Sequence, residues 1–159
     1  MAADQEMRDL ILRSVPQQRP FRFIDEILEL SENHIVGAYR FRKDEYFYRG
    51  HFPDRPITPG VLLIEAMAQT GVVALGLYLT MLQGNKSLKE TKEMITLFTM
   101  AEEVEFYGIV TPGERVVVRG EKIYFRRGSL KTKVKTEREN GELVCFGTLA
   151  GTGVMLNET

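Results

Sequence analysis

The sequence predicts an α+β fold in which a strongly curved antiparallel sheet wraps around one long central helix. From Val61 to Leu82 the chain is apolar nearly all the way round, interrupted chiefly by Glu65 and Gln69, as a helix buried on every side must be. After it come alternating runs separated by turn signals, the mark of antiparallel strands. A length of 159 residues supplies one ordinary hydrophobic core, so residues 1–159 are expected to form a single domain.

Each element has its own signal. Asp4 to Ser14 suits a short amphipathic helix with Met7, Leu10, Ile11 and Val15 on one side. Pro16 and Pro20 then enforce an extended stretch. Between His34 and Arg42, Ile35, Gly37, Tyr39 and Phe41 alternate with Val36, Ala38 and Arg40, which reads as a strand. Gly50 to Gly60 holds three prolines and two glycines and must be a rigid loop. Thr58 is a suitable N-cap and Pro59 fits the first helical position of the central helix. That helix is long enough to cross a membrane. Glu65 within it would cost roughly 2.5–3.5 kcal/mol on insertion scales, and the following strands need an apolar partner, so no membrane span is expected.

Gln83 to Glu93 is polar and reads as a surface loop. Strands are expected over Met94–Ile109 and Glu114–Phe125, divided by the turn Thr111-Pro112-Gly113. A turn at Arg126–Ser129 leads into Leu130–Thr136, whose lysines alternate with inward residues. Asn140-Gly141 marks a hairpin before the last strand, Leu143–Gly153.

Composition narrows the chemistry. Apolar residues make up 43% and charged residues 27%, a globular profile. The net charge of −1 gives no basic field for nucleic acid or an anionic membrane. One cysteine, Cys145, and two histidines, His34 and His51, offer no ligand cluster for zinc or haem. No glycine-rich phosphate loop is present. Neither metal nor cofactor is therefore expected. The first residues lack the basic start and apolar run of a secretory signal, and a cytoplasmic protein is expected.

Two ionisable side chains stand in places that demand explanation. His51 lies in the proline-pinned loop, and Glu65 lies inside the apolar helix. Burial raises the pKa of a carboxylic acid and keeps its proton available, whereas a neutral imidazole is a natural base. A base and such an acid across one apolar cavity suit removal of a proton at one carbon and protonation of a leaving hydroxyl. Gln69, one turn beyond Glu65, is placed to orient the carboxyl group. Gly60, in the first turn, offers a backbone N–H at the positive helix end, fit to polarise a thioester carbonyl. Residue types alone leave plainer readings open: a buried glutamate is more often a structural hydrogen-bonding partner, and a lone loop histidine is usually uncommitted.

The run Gly50-His51-Phe52-Pro53-Asp54-Arg55-Pro56-Ile57-Thr58-Pro59-Gly60-Val61-Leu62-Leu63-Ile64-Glu65-Ala66-Met67-Ala68-Gln69 closely resembles the signature of bacterial β-hydroxyacyl-acyl-carrier-protein dehydratases, in the branch with glutamate on the helix. Pro20-Phe21 to Asp25 and Val104-Glu105-Phe106 through Pro112-Gly113-Glu114 extend the resemblance, which covers about residues 10–152. It implies a hot-dog fold whose active sites form between two subunits. His51 would take the α-proton of a (3R)-hydroxyacyl thioester and Glu65 would protonate the departing β-hydroxyl, giving a trans-2-enoyl thioester. Gly60 would hold the carbonyl, Gln69 would support Glu65, and Phe52, Pro59, Val61 and Leu62 would border the acyl tunnel. The implied partners are acyl carrier protein and a second copy of the chain, with trimers of dimers as a larger form. Glutamate at position 65 leans against isomerase activity. Other hot-dog roles, thioester hydrolysis or acyl binding without turnover, remain as alternatives.

The sequence also departs from that pattern. Pro16-Gln17-Gln18 stands where the family usually has Pro-His-Arg, and Leu97 where some members carry a gating tyrosine, with Phe98 the nearest aromatic. Acyl carrier protein is acidic, so Arg126, Arg127 and Lys131 are candidates for docking it, although a solvated hairpin is the simpler reading of the three. Cys145 and His34 are assigned to ordinary strand positions.

Overall fold

The computed structural model describes residues 1–84 and 88–155. Helix α1 (Gln5–Ser14) is capped by Asp4, whose carboxylate accepts from the Met7 N–H. Two strands follow, β1 (Glu26–Leu30) and β2 (His34–Arg40), then a 3₁₀ turn (Tyr46–Arg49). The central helix begins as α2 (Gly60–Ala68), passes through a π-helical segment (Gln69–Ala74) and ends as α3 (Leu75–Leu82). A short helix α4 (Leu88–Lys92) leads to β3 (Met94–Phe106), β4 (Arg115–Arg126), β5 (Ser129–Arg138) and β6 (Leu143–Met155).

All six strands form one antiparallel sheet in the order β1-β2-β4-β5-β6-β3. The sheet bends around the central helix, and apolar side chains pack from both. One core cluster holds Phe23, Tyr39, Phe41, Met67 and Val118, and a second holds Ile11, Leu30, Leu75 and Leu130. Within the first, Tyr39 and Phe41 meet edge to face at 4.9 Å, a favoured geometry for aromatic pairs. Helix and sheet come closest at two glycines. A Cβ on Gly120 would lie 3.0 Å from the Gly71 Cα, and one on Gly71 would lie 2.6 Å from a Val134 methyl. A side chain at either position would have to push its neighbours aside. This is the α+β hot-dog arrangement that the sequence led us to expect.

The helix Gly60–Leu82 has the length and apolarity to cross a membrane, yet 67% of its most apolar stretch is buried inside the fold. The curved sheet accounts for that composition.

Several boundaries differ from the sequence reading. Thr58 is not the N-cap: Pro59 holds that place and Gly60 is the first helical residue. The Thr58 hydroxyl is instead shared with Tyr48 at 2.6 Å, and its N–H donates to the Val110 carbonyl. β2 stops at Arg40 rather than Arg42, because its partner β4 begins only at Arg115 and Phe41 bonds instead to the turn before it, its N–H donating to the Glu114 carbonyl and its carbonyl accepting from the Gly113 N–H. β3 stops at Phe106 rather than Ile109, where the Tyr107 and Gly108 N–H groups both converge on the Val144 carbonyl. β5 and β6 run two residues further than expected, to Arg138 and Met155. Of the loop expected over Gln83–Glu93, the part Leu88–Lys92 is helical, and Asn85 to Ser87 lie outside the described residues.

Strand β3 ends the sheet. Its Leu97, Phe98 and Phe106 are 47%, 45% and 47% exposed, an unusual amount of apolar surface for an edge strand.

Candidate active site

His51 follows the 3₁₀ turn and is fixed by its own backbone. Its N–H donates to the Phe47 carbonyl at 3.0 Å, and its carbonyl accepts from the Ile57 N–H at 2.9 Å. The ring is fixed as well, with Nδ1 2.8 Å from the Ile57 carbonyl oxygen. A carbonyl can only accept, so Nδ1 is the donor, and in a neutral ring Nε2 then keeps its lone pair. Phe52 stacks on the imidazole, with ring centroids 4.2 Å apart. The prolines and the Phe52–Arg55 backbone pair, at 3.0 and 3.2 Å, close the loop behind them.

Glu65 projects from α2 and is held through Gln69. The Gln69 side chain is completely buried. Its Nε2 donates to Glu65 Oε1 at 3.0 Å and to the Phe21 carbonyl at 2.9 Å. Its Oε1 accepts from the Phe23 N–H at 2.7 Å. One amide thus ties the acid to the segment before β1, as the i, i+4 spacing made possible. Burial pushes the Glu65 carboxyl above its ordinary pKa, and the Gln69 donation offsets this only in part. Since Oε1 accepts from Gln69, a proton taken up by the carboxylate would sit on Oε2, which no described residue bonds. Glu65 lines a cavity of about 180 Å³ with Gln17, Ala68, Val72, Val73 and Leu97 among its walls.

Gly60 opens α2 with its N–H unbonded by any described residue, as expected for a first-turn donor. The Phe106 ring covers it so closely that an added Cβ would approach to 3.1 Å. Pro59 is buried and its carbonyl accepts from Leu62 and Leu63. Val61 points outward, 71% exposed, while Leu62 is half-buried against the core. Phe52 is half-exposed.

The chain therefore brings Glu65 and Gln69 together, but not His51. Among the described residues no hydrogen bond joins His51 to Glu65, and His51 does not line the Glu65 cavity. Leu97 and Phe98 do line it. The sequence did not disclose the backbone groups of Phe21 and Phe23 as partners of Gln69, since they lie 48 and 46 residues away. The one available signal was the need of a buried amide for several hydrogen bonds.

Of the basic residues considered for docking, Arg126 lies over the Tyr124 ring at 4.7 Å and Lys131 pairs with Glu102 at 3.5 Å. Arg127 takes a positive φ in the β4–β5 turn. His34 and Cys145 occupy positions in β2 and β6, with Cys145 buried.

The FabA-like domain family matches this chain over residues 15–145. The 3-hydroxyacyl-[acyl-carrier-protein] dehydratase FabZ of Caldicellulosiruptor bescii is 35% identical over 142 residues, covering 89% of this chain and 94% of that protein. FabZ of Roseiflexus sp. is 41% identical over 143 residues, covering 87% and 90%. Among solved structures, the dehydratase heterocomplex ApeI:P from Xenorhabdus doucetiae superposes with a TM-score of 0.76 at 15% identity, covering 93% of each chain. A hypothetical thioesterase with coenzyme A from Streptococcus pneumoniae gives 0.54 at 12% identity, covering 96% of this chain and 98% of that one. At such identities the two structures speak to fold alone.

Proposed function

The chain belongs to the family of FabA-like domains, as a hydro-lyase of the FabZ type, and we propose that it forms trans-2-enoyl thioesters from (3R)-hydroxyacyl chains carried on acyl carrier protein, with His51 as base and Glu65 as acid. The observation that carries this division of labour is the Gln69 clamp, which occupies Glu65 Oε1 and leaves Oε2 free to carry a proton.

His51 Nε2 takes the proton from the α-carbon. The electron pair left there forms the new double bond as the β-carbon–oxygen bond breaks. The departing hydroxyl takes the Glu65 proton and leaves as water, and a proton passing from the imidazolium to the carboxylate resets the pair. During proton loss negative charge grows on the thioester oxygen, and the Gly60 N–H stands ready to receive it. Phe52, Pro59, Val61 and Leu62 border the entering acyl chain.

Because His51 does not line the Glu65 cavity, the site is completed by a second copy. The exposed apolar edge of β3, beside Glu65, is the surface for that dimer, and three dimers would make a hexamer. The chain then acts as one hot-dog unit per half-site in the cytoplasm. Lys131, already paired with Glu102, is a weaker docking candidate for acyl carrier protein than Arg126 and Arg127.

The test is to give a hydroxyacyl thioester to the wild type and to His51→Ala and Glu65→Gln. Dehydration yields a conjugated enoyl thioester absorbing in the ultraviolet, whereas hydrolysis yields a free thiol. Each variant should lose at least a hundredfold in turnover while keeping the native oligomer. Near-wild-type turnover in either one would sink the assignment.

A further inference from the structure

A single peptide group orients the His51 ring, and the prolines around it do not lock it. The Ile57 carbonyl that accepts from Nδ1 and the Thr58 N–H are the two ends of one trans peptide. Pro53, Pro56 and Pro59 fix their own φ and hold the residue before each out of the helical region. The Ile57–Thr58 peptide turns about ψ of Ile57 and φ of Thr58, angles that no proline ring fixes. Turned over, it would offer its N–H to the imidazole in place of its carbonyl. Nδ1 would then have to accept, and a neutral ring would carry its proton on Nε2, the nitrogen that must be free to take the α-proton.

Hydrogen bonds supply the missing restraint. The Thr58 N–H donates to the Val110 carbonyl at 2.9 Å, and the Thr58 and Tyr48 hydroxyls share a hydrogen bond at 2.6 Å. Thr58, Tyr48 and Val110 are all buried, and Tyr48 and Val110 belong to the first core cluster. Tyr48 also lies in the 3₁₀ turn whose Phe47 carbonyl accepts the His51 N–H. The hydroxyl pair therefore ties the chain before His51 to the chain after it. We propose that Tyr48 and Thr58 are positioning residues, whose hydrogen bond locks the Ile57–Thr58 peptide with its carbonyl toward His51 and so keeps Nε2 unprotonated for the α-proton. Neither side chain lines the Glu65 cavity; both act through the peptide between them and the base. The inference rests on the dehydratase reading.

Tyr48→Phe combined with Thr58→Val removes both hydroxyls, keeps their shapes and leaves neither partner unpaired. This double variant should fold and assemble as the wild type does, lose about tenfold in kcat and keep its KM. Nitrogen NMR of the imidazole at about pH 9, where the ring is neutral, reads the tautomer directly. His34→Gln in every sample leaves His51 as the one histidine. With Tyr48 and Thr58 intact, Nδ1 should be protonated and Nε2 not; in the double variant the two signals should move toward each other as the tautomers mix. Thr58→Ser keeps the hydroxyl and should retain both kcat and tautomer. A double variant with wild-type kcat, or with an unmixed Nδ1–H tautomer, overturns the proposal, and so does a serine variant that behaves like the double one. Should the double variant not fold, Tyr48→Phe alone carries the same two measurements with the same outcomes. The tautomer is read without substrate. Wild-type protein that yields no enoyl product therefore defeats the dehydratase reading, whereas an unmixed tautomer in the double variant defeats the clamp alone.

Discussion

Replacing Gln69 by methionine removes one amide and strands three groups at once. The Phe23 N–H, in a residue with no exposed surface, loses its acceptor. The Phe21 carbonyl loses its donor but belongs to a half-exposed residue and can turn to water. A buried unsatisfied group costs roughly 1–3 kcal/mol and an ordinary lost bond about 1 kcal/mol, so the change should destabilise the fold by about 2–4 kcal/mol. For a chain of this size that lowers Tm by roughly 5–15 °C, read at fixed protomer concentration because assembly contributes. The catalytic effect has a definite sign. Gln69 donates to Glu65 and thereby holds its pKa down against burial, so its removal moves Glu65 further up. The basic limb of the kcat/KM profile, where the acid ionises, should shift to higher pH even if overall activity falls. A basic limb that stays in place or moves to lower pH refutes the assignment of that limb to Glu65 under Gln69 control.

Glu65→Gln should change how stability depends on pH. The folded chain holds the Glu65 proton to a higher pH than the unfolded chain does. Unfolding releases that proton within this window, so wild-type stability falls as pH rises and levels off once Glu65 ionises in the fold. Urea melts across that range should show the variant gaining on the wild type with rising pH and matching it below; a constant gap contradicts this. Gly71→Ala should cost about 1–3 kcal/mol through overpacking, since its methyl meets Val134, and Val134→Ala in the same chain should recover part of it. Strict additivity of the two changes would count against the close contact. Mixing inactive His51→Ala with inactive Glu65→Gln, followed by subunit exchange, should restore about a quarter of wild-type activity, because half the random dimers are hybrids with one intact site. No recovery after proven exchange contradicts a site shared between copies.

The regular parts of the fold were legible because their signals are local. The apolar run after Gly60 suited a buried helix or a membrane span, with Glu65 and the strands that follow deciding for the first, and the Arg126–Ser129 and Asn140-Gly141 turns marked the strands on either side. β1 escaped notice because the register slips between Ile27 and Glu29, which breaks the alternation that identifies a strand. Thr58 misled because a good N-cap side chain can be claimed by a distant hydroxyl, here that of Tyr48. At the site, Glu65 stood out as a carboxyl group among apolar residues, and Gln69 followed from helical spacing. Their anchor could not be read: Phe21 and Phe23 contribute backbone atoms, which carry no sequence signature.

The π-helical segment Gln69–Ala74 has a bearing on how this chain is compared with others. Such a segment takes up a surplus residue within an otherwise α-helical path, so the two flanks keep their orientation while their numbering falls out of step. Counting in fours from Glu65 therefore names the wrong neighbours beyond Ala74. A relative whose helix is α throughout would align with this one only across a gap of about one residue inside that segment. A gapless alignment would instead turn the assigned faces by about 100° from Leu75 onward.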